Sequence, residues 1–205
     1  MPNDSLPGDQ RDPVAAVRGG RPRSERAHQA ILTAARKLLI EEGFASLRLE
    51  HVAALAGVGK ATIYRRWASK EALAQDLLTQ LAGPHIEVAD TGSTREEMLA
   101  AVVNPMRAVT ESDFGPVIRA MLSQIASNPR VGDPFRATVV GARRAEITKV
   151  IERGIARGDL RGDADPGVAT ELLVGPVYFR LMFGGVLDID FAEQIVDSVM
   201  RGFGA

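Results

Sequence analysis

The chain contains no cysteine among its 205 residues, which excludes disulfide bonds and thiolate metal sites. It also lacks any run of the roughly 18 to 20 apolar residues that a membrane-spanning helix needs, and no apolar signal-peptide core is present near its start. No segment of strand length alternates apolar and polar residues, so a β-sheet is not expected. The hydrophobic content of 45% is ordinary for a globular protein. These features predict an all-α protein of the cytoplasm.

Charge is unevenly distributed along the chain, although the formal net charge is only −1. Between Arg18 and Glu71 the sequence has 11 Lys/Arg and 5 Asp/Glu residues, so the rest of the chain is acidic. A basic segment of this kind suits a nucleic-acid partner, because lysine and arginine neutralise phosphate charge.

The basic segment contains two short helical patterns joined by a glycine turn. Four apolar residues at three- and four-residue intervals predict the first helix: Leu49, Val52, Ala53 and Ala56. Gly57 and Gly59 are residues that a tight turn with positive φ favours. A second helix is predicted from Gly59 to Trp67, with Ile63 and Trp67 packed inward. This pattern predicts a helix-turn-helix, in which the second helix enters a DNA major groove.

The outward face of the second helix has side chains suited to DNA. Ala61 permits close approach to the groove, while Lys60 and Arg66 can reach guanine and Thr62 can contact a thymine methyl group or a phosphate. Tyr64 and Arg65 are long enough to contact the phosphate backbone. The alternative is a solvated amphipathic helix whose charges have no partner.

These residues resemble the TetR family of transcriptional regulators over Ile31 to Leu73. The resemblance rests on the following motifs: Glu42-Gly43-Phe44, Val52-Ala53, Ala56-Gly57-Val58, Ile63-Tyr64, Trp67 and Lys70-Glu71-Ala72-Leu73. It implies that Lys70 contacts a phosphate. Arg48 departs from the family pattern, which has a Thr or Ser capping the second helix. Either the second helix starts slightly earlier and Ser46 caps it, or Arg48 contacts a phosphate and does not cap the helix.

Three regions follow from composition and periodicity. Residues 1–23 should be a disordered basic arm, because they are rich in Pro, Gly, Asp and Arg. Within this arm, Gly20-Arg21-Pro22-Arg23 resembles the core of an AT-hook, which enters a minor groove, and a leader without function is the alternative. Residues 24–82 should form the DNA-binding domain, with a first helix that Ser24 caps and Gly43 ends. Residues 83–205 should form a second helical domain.

Capping and proline signals predict the helices of the second domain. These signals are Ser93 and Thr94 with Glu96 and Glu97, Pro116, Asn128-Pro129 as a stop, Asp133-Pro134 opening a helix to Gly158, Asp165-Pro166 opening a helix to Phe183, and a last helix from Phe191 to Phe203. The last two helices are apolar on more than one face, which predicts a subunit interface. The resemblance likewise implies a homodimer formed through these helices. The alternative is that Gly175-Pro176 kinks the first of them and both faces are core.

The second domain is richer in Met and Phe than the first, and flexible methionine side chains fill irregular space. Because the resemblance implies an inducer held between these helices, we expect a small apolar effector there. The predicted lining is Met98, Val102, Met106, Met121, Ile125, Phe135, Val139, Phe179 and Met182, with Arg143, Glu146 or Tyr178 as polar anchors.

No catalytic set, cofactor or metal is expected. The segment from Ala54 to Thr62 falls short of a phosphate-binding loop, because Ala54 stands at the first glycine position and Ala61 follows the lysine. The histidines share no metal-like spacing. The sequence therefore predicts a ligand-responsive DNA-binding regulator, a repressor released from a pseudo-palindromic operator. The open alternative is an all-helical dimeric DNA-binding or scaffold protein without a small-molecule ligand.

Overall fold

A computed structural model describes the backbone of residues 21–205, with side chains from residue 24 onward except at position 85. The predicted arm lies outside the described residues, apart from its last three residues. The helices are α1 (Arg21–Ser46), α2 (Leu49–Leu55), α3 (Lys60–Tyr64), α4 (Lys70–Ala82), α5 (Thr94–Glu111), α6 (Phe114–Ser127), α7 (Pro129–Phe135), α8 (Gly141–Arg157), α9 (Pro166–Phe183) and α10 (Ile189–Phe203). A π-helical segment, Arg136–Val140, joins α7 to α8. The only β pairing in the described range is one bridge between Leu160 and Gly204, so the all-α prediction is confirmed.

The core of the first domain is built around the helix-turn-helix. Val52 of α2 and Ile63 of α3 are fully buried, and Trp67, which follows α3, is nearly so. The Trp67 indole stacks on His28 of α1, with 5.3 Å between ring centroids. Its Nε1 donates a hydrogen bond to Asp76 Oδ2 of α4 at 2.9 Å. These contacts fix α3 and the residues after it against both α1 and α4.

Two glycines with positive φ determine the turns of this domain. Gly43, with φ 76°, interrupts the helical geometry of α1 at the predicted end of that helix. Gly57, with φ 65°, forms the turn between α2 and α3. The prediction for Gly59 was wrong, because this residue has φ −70° and is the extended N-cap of α3.

Two boundaries in the first domain differ from the prediction. α1 begins at Arg21 rather than Ser24, and a proline at position 22 is tolerated in a first helical turn. α3 ends at Tyr64 rather than Trp67. The N–H of Arg66 bonds the carbonyl of Ile63, which is three residues back, so the last turn tightens as helix ends commonly do.

The second domain confirms several capping signals. Ser93 Oγ accepts from the N–H of Glu96 at the start of α5, and Asp165 Oδ1 accepts from the N–H groups of Gly167 and Val168 at the start of α9. Gly158 ends α8 as predicted, and the structure shows that it does so in the left-handed conformation, with φ 81°.

Three predicted helix starts in this domain were wrong. α6 begins at Phe114, which places Pro116 within its first turn. Asn128 both ends α6 and caps α7, because its side chain accepts from the N–H of Arg130. Pro134 consequently lies inside α7, which continues through the π-helical segment into α8. α10 begins at Ile189, with Asp188 rather than a later residue as its cap.

The last two helices bury different amounts of their apolar surface. The stripe of α10 packs inside the chain, since Ile195, Val196 and Val199 are buried. α9 continues through Gly175-Pro176 as one helix. Its outer face leaves large apolar side chains in solvent, namely Val168, Leu172, Phe179, Met182 and Phe183. The predicted excess of apolar surface is therefore on α9, whereas the α10 stripe belongs to the core. Among the described helices, none is long and apolar enough to cross a membrane.

Candidate nucleic-acid interface and apolar cavity

The surface of α3 opposite Ile63 is small and cationic. Lys60 is the first residue of α3, and both Lys60 and Ala61 are exposed, while Thr62 is half-buried. The packing of Ile63 on the core holds these residues outward at the N-terminal end of the helix. In a helix-turn-helix this end of the second helix contacts base edges.

Two further arginines of the helix-turn-helix are exposed. Arg48 is the N-cap residue of α2 in an extended conformation, and its side chain makes no capping hydrogen bond. Ser46 lies at the end of α1, so the alternative in which Ser46 caps α2 was wrong. Arg65 follows α3 directly and is exposed. Within the described chain neither arginine forms a hydrogen bond or ion pair through its guanidinium, which leaves both charges available to a phosphate.

Tyr64 connects α3 to α2 through a hydrogen bond. Its hydroxyl donates to Glu50 Oε1 at 2.5 Å. This bond lowers the pKa of the Glu50 carboxyl, and the nearby charges of Lys60 and Arg48 lower it further. The same bond raises the pKa of the Tyr64 hydroxyl, because the protonated phenol is the donor. At neutral pH Glu50 is thus ionised and Tyr64 protonated, and the bond between the two helices is maintained.

Arg66 lies on the α1 side of the helix-turn-helix. Its Nη2 donates to the carbonyl oxygen of Ser24 at 2.6 Å and also to the Ser24 hydroxyl. The side chain is half-buried and joins the residues after α3 to the start of α1. Because these bonds hold the guanidinium of Arg66 against α1, its position does not support the predicted role in base recognition.

Lys70 has an internal role at the end of α1. Its Nζ donates to the carbonyls of Phe44 and Ala45 at 3.0 and 3.2 Å and lies 4.6 Å from the centroid of the Phe44 ring. A cation is unfavourable at the first residue of α4, but it is favourable beside the carbonyls that end α1. The phosphate contact that the family resemblance implies would compete with these bonds.

A cavity of about 350 Å³ lies between α6, α7, the π-helical segment, α8 and α9. Its lining is Ile118, Leu122, Ile125, Phe135, Val139, Val140, Arg143, Thr170, Glu171, Val174, Gly175, Tyr178 and Met182. Of the predicted lining, the residues found here are Ile125, Phe135, Val139 and Met182, together with the predicted anchors Arg143 and Tyr178.

The other predicted lining residues are elsewhere. Met98, Val102 and Met121 are completely buried in the core, and Met106 is nearly so. Phe179 is 60% exposed and contacts Phe183 on the outer face of α9. Glu146 pairs with Lys149 at 2.5 Å. α5 fails to contribute to the cavity because it packs centrally, against α6, α8, α9 and α10.

Several cavity-lining residues that were not predicted lie at helical spacing from lining residues that were predicted. Ile118 and Leu122 precede Ile125 on one face of α6, and Val174 precedes Tyr178 by four residues on α9. The three- and four-residue periodicity could therefore have extended the predicted lining along both helices.

Among the residues whose side chains are described, two polar contacts join the first domain to the second. Gln75 Nε2 of α4 donates to Thr138 Oγ1 of the π-helical segment at 2.6 Å. Arg36 of α1 pairs with Asp113, beside the start of α6, at 2.7 Å. Because Val139 and Val140 follow Thr138 and line the cavity, the Gln75 bond links the cavity wall directly to α4.

Comparisons with known proteins agree with this organisation. The family model described as bacterial regulatory proteins, tetR family, matches residues 31–77. The model described as tetracyclin repressor-like, C-terminal domain, matches residues 88–199.

The chain is also similar to whole regulators. The HTH-type transcriptional regulator YdeS of Bacillus subtilis (strain 168) is 33% identical over 182 residues, which cover 89% of this chain and 88% of YdeS. The DNA-binding transcriptional repressor TetR of Mycobacteroides abscessus is 30% identical over 182 residues, covering 87% of this chain and 94% of that protein. The crystal structure of the TetR family transcription regulator SCO0332 superposes with a TM-score of 0.68 at 28% identity, covering 86% of this chain and 98% of that one.

Both halves of the chain match the two domains of one family, and the relatives match along nearly their whole length. Proteins of this family bind operator DNA, typically as dimers, and act without catalysing a reaction. The chain belongs to the TetR family of DNA-binding transcriptional regulators.

Proposed function

We propose that this protein is a homodimeric repressor that leaves a pseudo-palindromic operator when a small, largely apolar molecule occupies its cavity. The observation that carries the proposal is the hydrogen bond between α4 and the π-helical segment, which lies between the helix-turn-helix and an apolar cavity of about 350 Å³. A cavity of this size lies within the range of small-molecule sites. The repressor named in Mycobacteroides abscessus supports the direction of regulation. Because the target is chromosomal DNA, we place the protein in the cytoplasm.

The exposed side chains divide the DNA contacts into two groups. We assign base recognition to Lys60, Ala61 and Thr62, which occupy the exposed N-terminal part of α3. We assign phosphate contacts to Arg48 and Arg65, whose guanidinium groups are exposed beside that surface.

The remaining three predicted DNA-binding residues hold the recognition helix in place. Tyr64, Arg66 and Lys70 bond to α2, to the start of α1 and to the end of α1, respectively. Their removal should therefore affect the orientation of α3 more than any single contact with DNA.

The outer face of α9 supports the homodimer. Leu172, Phe179 and Phe183 recur there at four- and seven-residue intervals, and each is about half exposed or more. An apolar stripe on a helix can pack on its own copy around a twofold axis. α10 borders this stripe through a hollow lined by Leu172, Phe191 and Ile195. We therefore propose that residues 24–82 bind DNA and residues 83–205 bind both the ligand and the second subunit.

Ligand and DNA are coupled, in this proposal, through the π-helical segment and α4. A molecule in the cavity contacts Val139 and Val140, and their neighbour Thr138 bonds Gln75. The next residue of α4, Asp76, accepts the bond from Trp67 behind α3. Single π-helical turns occur frequently at functional sites and supply a segment that can shift in register. A ligand that favours one position of this segment changes the placement of α3.

We expect Gln75→Ala to preserve operator affinity within about twofold and to reduce the ligand-induced loss of affinity by about fivefold, the equivalent of one hydrogen bond. A thermal-shift screen of metabolites and antibiotics supplies a ligand, and fluorescence anisotropy of labelled operator DNA measures the response. Gln80→Ala is the matched control, because Gln80 lies on the same helix and bonds Gln29 instead of the second domain.

Two results would contradict the proposal at different points. A ligand that raises the melting temperature but leaves operator affinity unchanged at saturation would remove the regulatory role of the cavity. An equal ligand response in Gln75→Ala and Gln80→Ala would leave that role intact and show that the coupling does not pass through the π-helical segment.

A further inference from the structure

We infer that the molecule bound in the cavity carries one ionised acid group of the carboxylate type on an otherwise apolar body, and that Arg143 binds this group. The inference rests on the proposed function, in that it takes the cavity to be the ligand site. It adds the chemical class of the ligand and the residue that selects it.

The cavity wall is almost entirely apolar on the sides formed by α6 and α7. Ile118, Leu122 and Ile125 of α6 and Phe135 of α7 contribute only hydrocarbon surface. An aromatic or aliphatic body fits such a wall, because polar groups placed against it would lose their hydrogen bonds to water.

Arg143 introduces a positive charge into this apolar space. The residue is only 5% exposed and lines the cavity from the first turns of α8. Burial lowers the pKa of the guanidinium, yet an arginine side chain keeps its proton in proteins. Its planar group offers donors in a fixed geometry that matches the two oxygens of a carboxylate. In a weakly polar cavity, a charge-assisted bond of this kind is stronger than the same bond in water.

Tyr178 provides a second polar group in the same wall. Burial raises the pKa of its hydroxyl, while the charge of Arg143 acts in the opposite direction. The hydroxyl is therefore protonated at neutral pH and can donate to an acceptor. Thus two donor-bearing side chains, one of them charged, line a space that is otherwise apolar.

Glu171 is the acidic residue of the lining and would favour a cation instead. Its side chain is exposed, so water solvates and screens its charge. Arg143 is buried and its interactions are screened much less. Because Arg143 is buried and Glu171 is exposed, we expect the ligand to be an anion. A cationic ligand is the alternative that the test distinguishes.

The test uses three ligands of nearly equal shape that differ in charge: naphthoate, naphthamide and naphthamidine. Each displaces the fluorescent neutral probe N-phenylnaphthylamine from the full-length protein. We expect naphthoate to displace the probe at a concentration about tenfold or more below that of naphthamide, the ratio for a hydrogen bond to a charged group. Arg143→Met should abolish this advantage. Arg143→Lys, which keeps the charge without the planar fork, should retain part of it. The affinity of each variant for the neutral probe is measured first, and the displacing concentrations are corrected for it.

Gly175→Leu identifies the fluorescence that comes from the cavity. Gly175 is an exposed residue at the edge of the cavity, and a Cβ added there meets no atom within 4 Å, so a larger side chain can be placed at this edge without displacing the backbone. Only the probe signal that this variant loses is counted. Because Gly175 is exposed on α9, Phe179→Ser is the matched control: Phe179 belongs to the outer face of α9 and does not line the cavity, so the probe signal that this variant loses comes from the outer face.

Each outcome has a distinct meaning. An unchanged ratio of naphthoate to naphthamide in Arg143→Met overturns the assignment of Arg143, and strongest displacement by naphthamidine overturns the ligand class. Both results leave the cavity as a ligand site. A probe signal that Gly175→Leu does not reduce contradicts the cavity as a ligand site and with it the proposed function. If Arg143→Met fails to fold, the ratio of naphthoate to naphthamide displacement is compared between the wild type and Arg143→Lys, and an equal ratio overturns the assignment of Arg143.

Discussion

Replacing both Arg48 and Arg65 by alanine is expected to weaken operator binding about a hundredfold or more and to flatten its salt dependence. Both residues are exposed, Arg48 before α2 and Arg65 after α3, and their guanidinium groups bond to no other side chain in the described part of the protein. In a dimer the double variant removes both cations from each protomer. Since each phosphate contact contributes about 0.9 to the slope of log affinity against log salt, the slope should become shallower by about three to four units.

Fluorescence anisotropy of labelled operator at several salt concentrations measures this slope. The matched control is the double variant Arg107→Ala with Arg119→Ala, because both arginines are exposed on helices of the second domain and the change in net charge is the same. We expect the control to retain the slope of the wild type. Equal slopes for the two double variants would mean that Arg48 and Arg65 do not contact phosphates.

We expect Glu97→Ala to lower the free energy of unfolding by about 3 kcal/mol, which is the second large effect. This carboxylate is fully buried. It accepts hydrogen bonds from Arg153 at 2.5 and 2.7 Å and pairs with Arg157 at 2.9 Å. The variant leaves both guanidinium groups, which are only about a quarter exposed, without this partner. Removing one member of a buried ionic network is costly because the remaining charges are still poorly solvated.

Thermal or urea unfolding followed by circular dichroism at a fixed protein concentration measures the loss. For a chain of this length, about 3 kcal/mol corresponds to a fall of roughly 6 to 12 °C in melting temperature. Glu96→Ala is the control, because Glu96 is the adjacent residue of α5 and is exposed. Its replacement should cost less than about 1 kcal/mol. A loss for Glu97→Ala no larger than that of the control would show that the network does not stabilise the fold.

Glu97 also shows what capping patterns leave undetermined. Thr94 with Glu97 fits a capping box as well as Ser93 with Glu96 does, yet the cap forms at Ser93 and the Glu97 side chain enters the core. The sequence did contain a signal that a buried carboxylate has partners on α8. Arg153 and Arg157 are spaced four residues apart and therefore lie on one face of α8, where they can bind a single carboxylate.

The overall fold could be predicted because its signals are local and repeated. The apolar periodicity, the Gly57 turn and the Asp165-Pro166 start each agree with the structure. The start of α7 could not be fixed in the same way. Asn128-Pro129 and Asp133-Pro134 satisfy the same rule of a cap followed by proline, and only the packing of α7 against α4 and α6 distinguishes them.

The roles of the cations could not be predicted from residue type alone. Arg65 and Arg66 are adjacent in the sequence, but only Arg66 reaches the start of α1 and bonds Ser24. Lys70 begins α4 and at the same time lies beside carbonyls that are 25 and 26 residues away in the chain. Such partners are determined by tertiary packing. Tertiary packing also determines which methionines line the cavity. Residue type alone could not predict this, because methionine is common in both cores and cavities.

In the proposed complex, a dimer places its two α3 helices in successive major grooves of a twofold-symmetric site. Hydroxyl-radical footprinting on an operator selected from random DNA tests this arrangement most directly. We expect two protected half-sites related by twofold symmetry, with centres about 34 to 36 Å apart or a multiple of one helical turn. A single asymmetric half-site that stays unchanged at saturating protein would contradict it.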